Sequence, residues 1–142
     1  MSPAASGPSG VWCSGTSAAA RLAGSVDVVL RLPDGRFLIV DYKTNFLGES
    51  ACDYLDLAAA MLHSHYPLQA LLYAVVVHRY LRWRLADYDP QTHLGGVLYL
   101  YLRGMCGPAT PVVDGHPAGV FSWQPPAALV TALSDLLDGE TR

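Results

Sequence analysis

Three side chains suited to acid–base and phosphoryl chemistry lie between Gly24 and Asn45, in GSVDVVLRLPDGRFLIVDYKTN: Asp27, Asp41 and Lys43. Asp41 and Lys43 are two residues apart in a β-prone run, so on a strand they project from one face. A carboxylate and an ammonium closing the apolar run FLIV are costly core residues unless something uses them. Whether Asp27 joins them depends on a turn. Val26 to Leu32 and Phe37 to Tyr42 read as strands, with Pro33-Asp34-Gly35 as the turn between them. A two-residue Asp34-Gly35 loop pairs position 33 with 36 and turns Asp27 away. A three-residue loop, a type I turn followed by a left-handed Gly35, pairs 32 with 36 and sets Asp27 opposite Asp41. We expect the three-residue register. Two carboxylates about 4 Å apart repel by roughly 4 kcal/mol at an effective dielectric near 20. A divalent cation offsets that repulsion, and hard oxygen donors suit Mg²⁺, with its retained waters.

Further along, Gln69 and Tyr73 in LQALLY are four apart, one turn on the same helix face. Two readings stay open for them: a core tyrosine whose hydroxyl is satisfied by a buried amide, or a pair orienting the strand residues and a nucleic-acid backbone. With GSVD, the hairpin and DYKTN, this stretch is similar to an ordered set of motifs. D…(D/E)-x-K followed by Gln-x-x-x-Tyr resembles the RecB branch of the restriction-endonuclease-like superfamily. The later tracts His78-Arg79-Tyr80-Leu81-Arg82, Ala86-Asp87-Tyr88-Asp89 and Gly95-Gly96-Val97-Leu98-Tyr99-Leu100 continue the likeness, which runs from about Gly24 to Leu137.

The resemblance implies an α/β fold with a restriction-endonuclease-like core, a mixed β-sheet flanked by helices. It implies a Mg²⁺-dependent deoxyribonuclease of the exonuclease V type, acting in double-strand-break repair and recombination. Asp27, Asp41, Lys43, Gln69 and Tyr73 would be its catalytic set. Asp27, Asp41 and the backbone carbonyl of Tyr42 would hold the metal, with Mn²⁺ or Ca²⁺ able to substitute in binding. Single-stranded DNA ends and RecC-like and RecD-like subunits are the implied partners, and the cytoplasm the implied compartment. The family is similar in having a helix and strand upstream of the first Asp, with a metal-holding His. No residue in Met1 to Ala23 matches that His, so the chain is expected to be a fragment, incomplete at its N-terminus. The alternative reading is a catalytically silent piece that folds and binds companion subunits. A third is a metabolic domain in which D…D-x-K is coincidental.

These residues allow phosphodiester hydrolysis: Mg²⁺ on Asp27 and Asp41 would activate a water, and Lys43 would stabilise developing charge on phosphoryl oxygens. Whether Lys43 also takes the proton stays open. No phosphate-binding G-x-x-x-x-G-K-[ST] loop is present, so no ATP site is expected.

The whole chain sets the frame for these residues. With 142 residues, 51% of them hydrophobic, there is material for one core. A net charge of −3 supplies no general attraction for nucleic acid, so any hold on phosphate must be local. Cys13, Cys52 and Cys106 are widely spaced without a C-x-x-C pair, which argues against a disulfide framework or a zinc site. Residues 1–23 read as a disordered segment, 24–138 as the domain and 139–142 as a tail. No run approaches the roughly 20 apolar residues of a membrane span.

After the hairpin, Ser50 to Asp53 reads as a capping box opening a helix with Leu55, Ala58, Ala59 and Leu62 on its stripe. A longer helix is expected from Tyr66-Pro67 to about Ala86, buried on most sides between Ala70 and Val77. Its end carries Arg79, Arg82 and Arg84; Arg79 and Arg82 are candidate phosphate contacts, although a solvated helix end is the plainer reading. Val97 to Leu102 reads as a strand covered on both faces, and Gly107 to Gly119 as a connection. Pro126 to Leu137 reads as a helix with Leu129, Leu133, Leu136 and Leu137 inward. His63, His65, His78 and His93 are expected at the surface, and Tyr99 and Tyr101 packed within their strand.

Overall fold

The turn chemistry of Pro33-Asp34-Gly35 organises the first half of the sheet. In the computed structural model, which describes residues 25–139, Gly35 N–H donates to the Leu32 carbonyl at 3.0 Å, and Leu32 N–H to that of Arg36 at 2.7 Å. Gly35 adopts φ +89°, which an L side chain would resist. Strand β1 (Val28–Arg31) pairs antiparallel with β2 (Phe37–Lys43), Val28 opposite Val40 and Arg31 opposite Phe37. This is the three-residue register. The expectations for residues 1–23, including Cys13, and for 140–142 lie outside the described residues.

From β2 the chain crosses through α1 (Ala58–His63) and α2 (Tyr66–Arg84). It continues through the one-turn α3 (Pro90–His93) into β3 (Leu94–Tyr101), which lies parallel to β2. A parallel neighbour needs such a crossover, and a long helix supplies it. A small hairpin of β4 (Val112–Val113) and β5 (His116–Pro117) precedes β6 (Val120–Trp123), which pairs antiparallel with β3. Helix α4 (Ala127–Leu137) packs against α2. The result is a mixed four-stranded sheet, ordered β1-β2-β3-β6, flanked by helices. The core forms where α2 covers one sheet face: Ala70, Tyr73, Ala74 and Val77 meet Ile39, Val97, Tyr99 and Tyr101.

Four expectations are corrected. The capping box at Ser50 and Asp53 is present, but it opens only one 3-10 turn, Ala51–Tyr54. The Tyr54 carbonyl accepts from Gly119 N–H at 2.9 Å, and Ala58 N–H turns to Asp56 Oδ1 at 3.2 Å. Continuation of the helix is thereby blocked. Tyr54, Leu57 and Met61 become the buried set, while Leu62 stays exposed. Tyr54 is held in place by Gly104, where an added Cβ would fall 2.5 Å from the tyrosine Cβ.

The second correction concerns α4: Leu133 packs against the core as expected, but the fully buried residues are Val130 and Ser134, with Leu129, Leu136 and Leu137 exposed. Arg79 of α2 draws Ser134 inward by donating to its hydroxyl and carbonyl. Third, His78 is buried rather than at the surface, sharing a 2.9 Å hydrogen bond with the Tyr88 hydroxyl. Burial and the nearby Arg82 charge lower its pKa. Fourth, β3 ends at Tyr101, and Leu102 turns into an exposed 3-10 segment. The expected connection after Gly107 contains the β4–β5 hairpin, short enough to escape periodicity.

Candidate functional site

Position 41 is where the sheet stops being a core and becomes a site. The face of β2 that contributes Ile39 to the core continues to Asp41, 4% exposed. Lys43 follows on the same face, its Nζ 2.6 Å from Asp41 Oδ2. Oδ2 is buried, and the Lys43 ammonium is its one partner among the described residues. A buried carboxylate oxygen resting on a single ammonium is expensive in a purely structural pair.

Asp27 completes the acidic side. The hairpin register carried one step past Val28 sets Asp27 opposite Asp41, and its Oδ2 accepts from Tyr42 N–H at 2.9 Å. Asp27 is exposed, so the acidic side of the cluster reaches solvent through it. The Tyr42 side chain points to the opposite sheet face and is itself exposed.

Helix α2 supplies the lid. Tyr73 O–H donates to the Ser25 carbonyl at 2.9 Å and lies 3.4 Å from Asp41 Oδ1. Burial, then the Asp41 charge and hydrogen bond, then the Asp27 charge, raise its pKa. Both carboxylates therefore act on one hydroxyl. One turn earlier, Gln69 Oε1 accepts from Lys43 Nζ at 3.1 Å and from the Tyr99 hydroxyl at 3.1 Å. The Lys43 ammonium also stands 3.9 Å from the centre of the Tyr66 ring, which stacks on Tyr99 at 5.5 Å. Aromatic faces hold a cation at such distances. Burial first, then the Asp41 charge, drives the Tyr99 pKa upward.

Asp27, Asp41, Lys43, Gln69 and Tyr73 are thus brought together. Arg79 and Arg82 are not part of that cluster. Arg79 is spent on α4, with bonds to Ser134 and to Asp138 Oδ1 at 2.6 Å, and Arg82 lies 3.9 Å from Asp138 Oδ2. Tyr66 escaped sequence reasoning, which used it only as a helix start. The signal was present, since 66, 69 and 73 share one helix face.

Among the described residues no group of three or more His, Cys, Asp or Glu side chains gathers around a common centre. Two carboxylates, one of them buried with a single ammonium on its Oδ2, nonetheless make a hard-oxygen donor set. Mg²⁺ is commonly held by one or two carboxylates, with water and substrate phosphate supplying the rest.

No protein-family model matches the chain. Similar curated proteins include RecB subunits of RecBCD enzymes. The chain is 72% identical over 119 residues to that of Mycobacterium tuberculosis, covering 82% of this chain and 11% of the relative. It is 69% identical over 126 residues to that of Mycolicibacterium smegmatis, covering 84% and 12%. Over this segment the chain belongs to the RecB family. The Escherichia coli protein is 42% identical over 123 residues, 84% of this chain and 10% of that one. The chain thus spans about a tenth of the length of the curated RecB relatives it matches. Among the described residues, no helix is long and apolar enough to cross a membrane.

Proposed function

We propose that residues 24–138 form a Mg²⁺-dependent DNA nuclease domain with a restriction-endonuclease-like core, working within a RecB-type helicase-nuclease in double-strand-break repair. The observation that carries this reading is Asp41: a buried carboxylate whose Oδ2 meets only the Lys43 ammonium, facing a second carboxylate across the hairpin. Asp27, Asp41 and the Tyr42 carbonyl would hold the cation, which when bound would polarise a phosphoryl oxygen and acidify a water.

The chain's own residues do the rest. Lys43, held between Gln69 and the Tyr66 ring, presents a fixed positive charge to the phosphate. A charge already oriented costs no reorganisation as negative charge builds on phosphoryl oxygens. Tyr73 keeps its proton because burial and the two carboxylates disfavour a phenolate, so it stays a donor whose one hydrogen is shared between the Ser25 carbonyl and Asp41 Oδ1. Gln69 orients Lys43, and Tyr99 orients Gln69. RecC-like and RecD-like subunits belong to this proposal on the strength of the relatives' name as subunits of RecBCD; single-stranded DNA ends and the cytoplasm belong to it through the motif resemblance.

The test is cleavage of a labelled single strand by the full chain with and without Mg²⁺. Activity that needs Mg²⁺ and disappears in Asp41→Ala supports the reading. Cleavage surviving that change, with the fold intact by circular dichroism, refutes it.

A further inference from the structure

Just past the ion pair, the chain leaves β2 as Thr44-Asn45-Phe46, and Phe46 is 61% exposed. A single exposed apolar side chain is ordinary; what sets Phe46 apart is the group beside it. Arg103 approaches from the end of β3, its guanidinium 5.9 Å from the centre of the Phe46 ring. Arg103 is not loose: its Nε donates to the Thr44 carbonyl at 2.8 Å, tying it to the same strand end. Asn45 in turn lies 3.3 Å from the Tyr66 hydroxyl, the ring against which Lys43 rests. The ring and the guanidinium are therefore built onto the candidate site, and at most about 11 Å of extended chain separates Phe46 from Lys43.

We propose that Phe46 and Arg103 form a platform on which one base of single-stranded DNA stacks while the adjacent phosphate meets the guanidinium. For its ligand the inference rests on the nuclease reading. An exposed aromatic beside an arginine is the pairing that holds single strands without reading their sequence. The neighbouring cleft, about 600 Å³, favours a base over a phosphate. Its walls include Phe46 and Leu47 but also Asp53 and Asp56. Carboxylates repel phosphate and accept hydrogen bonds from the exocyclic amines of bases. The strand would thus enter with its bases toward Phe46 and its backbone toward Arg103 and Lys43. A duplex, whose bases are already stacked on one another, cannot use such a platform without opening.

The experiment titrates the full chain into a single-stranded oligodeoxynucleotide carrying 2-aminopurine, in EDTA so that no cleavage occurs. Stacking on Phe46 quenches the emission. Phe46→Ala abolishes the quench and weakens binding about 5- to 100-fold, the usual value of one stacked base. Phe46→Trp restores both. Arg103→Ala weakens binding and lowers the salt slope by about one phosphate contact. Duplex affinity changes little in Phe46→Ala. In Mg²⁺, Phe46→Ala raises KM and leaves kcat within about twofold, because stacking is the same in ground and transition states.

Unchanged emission, or equal single-strand affinity in the wild-type and Phe46→Ala proteins, overturns the platform. The outcomes separate from those of the parent reading. A chain that binds and quenches but never cleaves keeps the platform and loses the nuclease. A chain that cleaves, with Phe46→Ala indistinguishable from wild type, does the reverse. Failure to bind the strand at all removes both.

Discussion

Two ion pairs of equal length, 2.6 Å, both lean on α2 and are built for different ends. Arg79 and Asp138 join α2 to α4, with side chains 36% and 40% exposed. Arg79 spends its other donors on Ser134, so each charge has a partner and water is at hand. Lys43 and Asp41 are 11% and 6% exposed, and one oxygen of Asp41 has no partner but the Lys43 ammonium among the described residues. The first arrangement is a clamp, finished as it stands. The second is held by Gln69, Tyr66 and Tyr73 around a carboxylate oxygen with a single partner. Equal distance therefore says little about role; what distinguishes the pairs is how completely their polar atoms are satisfied.

The widest separation between them is expected in activity. Asp41→Ala abolishes Mg²⁺-dependent cleavage, and Lys43→Gln lowers kcat by about 10²- to 10³-fold, the scale of losing one oriented charge-stabilising group. Arg79→Met leaves kcat within about threefold. Steady-state cleavage of a labelled oligonucleotide measures all three, and an Arg79→Met loss as deep as that of Lys43→Gln would erase the distinction.

Stability sharpens the same contrast. Lys43→Met strands a buried carboxylate and costs about 3–5 kcal/mol in urea unfolding, whereas Arg79→Met, at a wetter seam, costs about 1–3 kcal/mol. Added Mg²⁺ restores part of the loss in Lys43→Met, since a ligand that binds only the folded state stabilises it. It does nothing for Lys43→Met combined with Asp41→Ala. Equal responses of both proteins to Mg²⁺ would argue against Asp41 as a cation ligand.

What could be read from the residues follows the same divide. The hairpin was legible because Pro33-Asp34-Gly35 has few conformations open to it, and its register then dictates which faces Asp27, Asp41 and Lys43 share. Gln69 and Tyr73 were legible as a spacing. The α4 stripe was not, because Leu129 and Leu136 outrank Ser134 in hydrophobicity, and only the position of Arg79 in space reverses the order. Tyr54 and the interrupted helix after Ser50 were hidden for a similar reason: Gly119, far along the chain, takes the carbonyl that would have continued the helix. Long-range partners overrule local pattern, and they did so least where the turn chemistry is strongest.

Alkaline pH probes the tyrosine-rich side of the comparison. Burial first, with the neighbouring Tyr66 and Asp41 adding, pushes the Tyr101 pKa up to about 12 from an ordinary 10.0. The unfolded chain ionises first, so stability is intact below pH 10 and is lost as pH rises through about 12. The expected slope is roughly 1 kcal/mol per pH unit for such a tyrosine. Urea unfolding of Tyr101→Phe should show a shallower decline above pH 10 than the wild type, and an equal decline would remove Tyr101 as its source.

The smallest effect tests whether the clamp is as complete as its geometry suggests. Ser134 is fully buried, and its hydroxyl accepts from Arg79 Nε at 3.0 Å. Ser134→Ala removes that acceptor but leaves the Ser134 carbonyl and Asp138 to hold the guanidinium. Arg79 is partly solvated, so water can take the freed N–H, and the cost should be about 0.5–1.5 kcal/mol with cleavage unchanged. A loss of several kcal/mol would mean that the arginine cannot reach water once the hydroxyl is gone. The α2–α4 seam would then resemble the Lys43–Asp41 pair in energetic character, and incomplete satisfaction alone could no longer be used to tell a working site from a structural one.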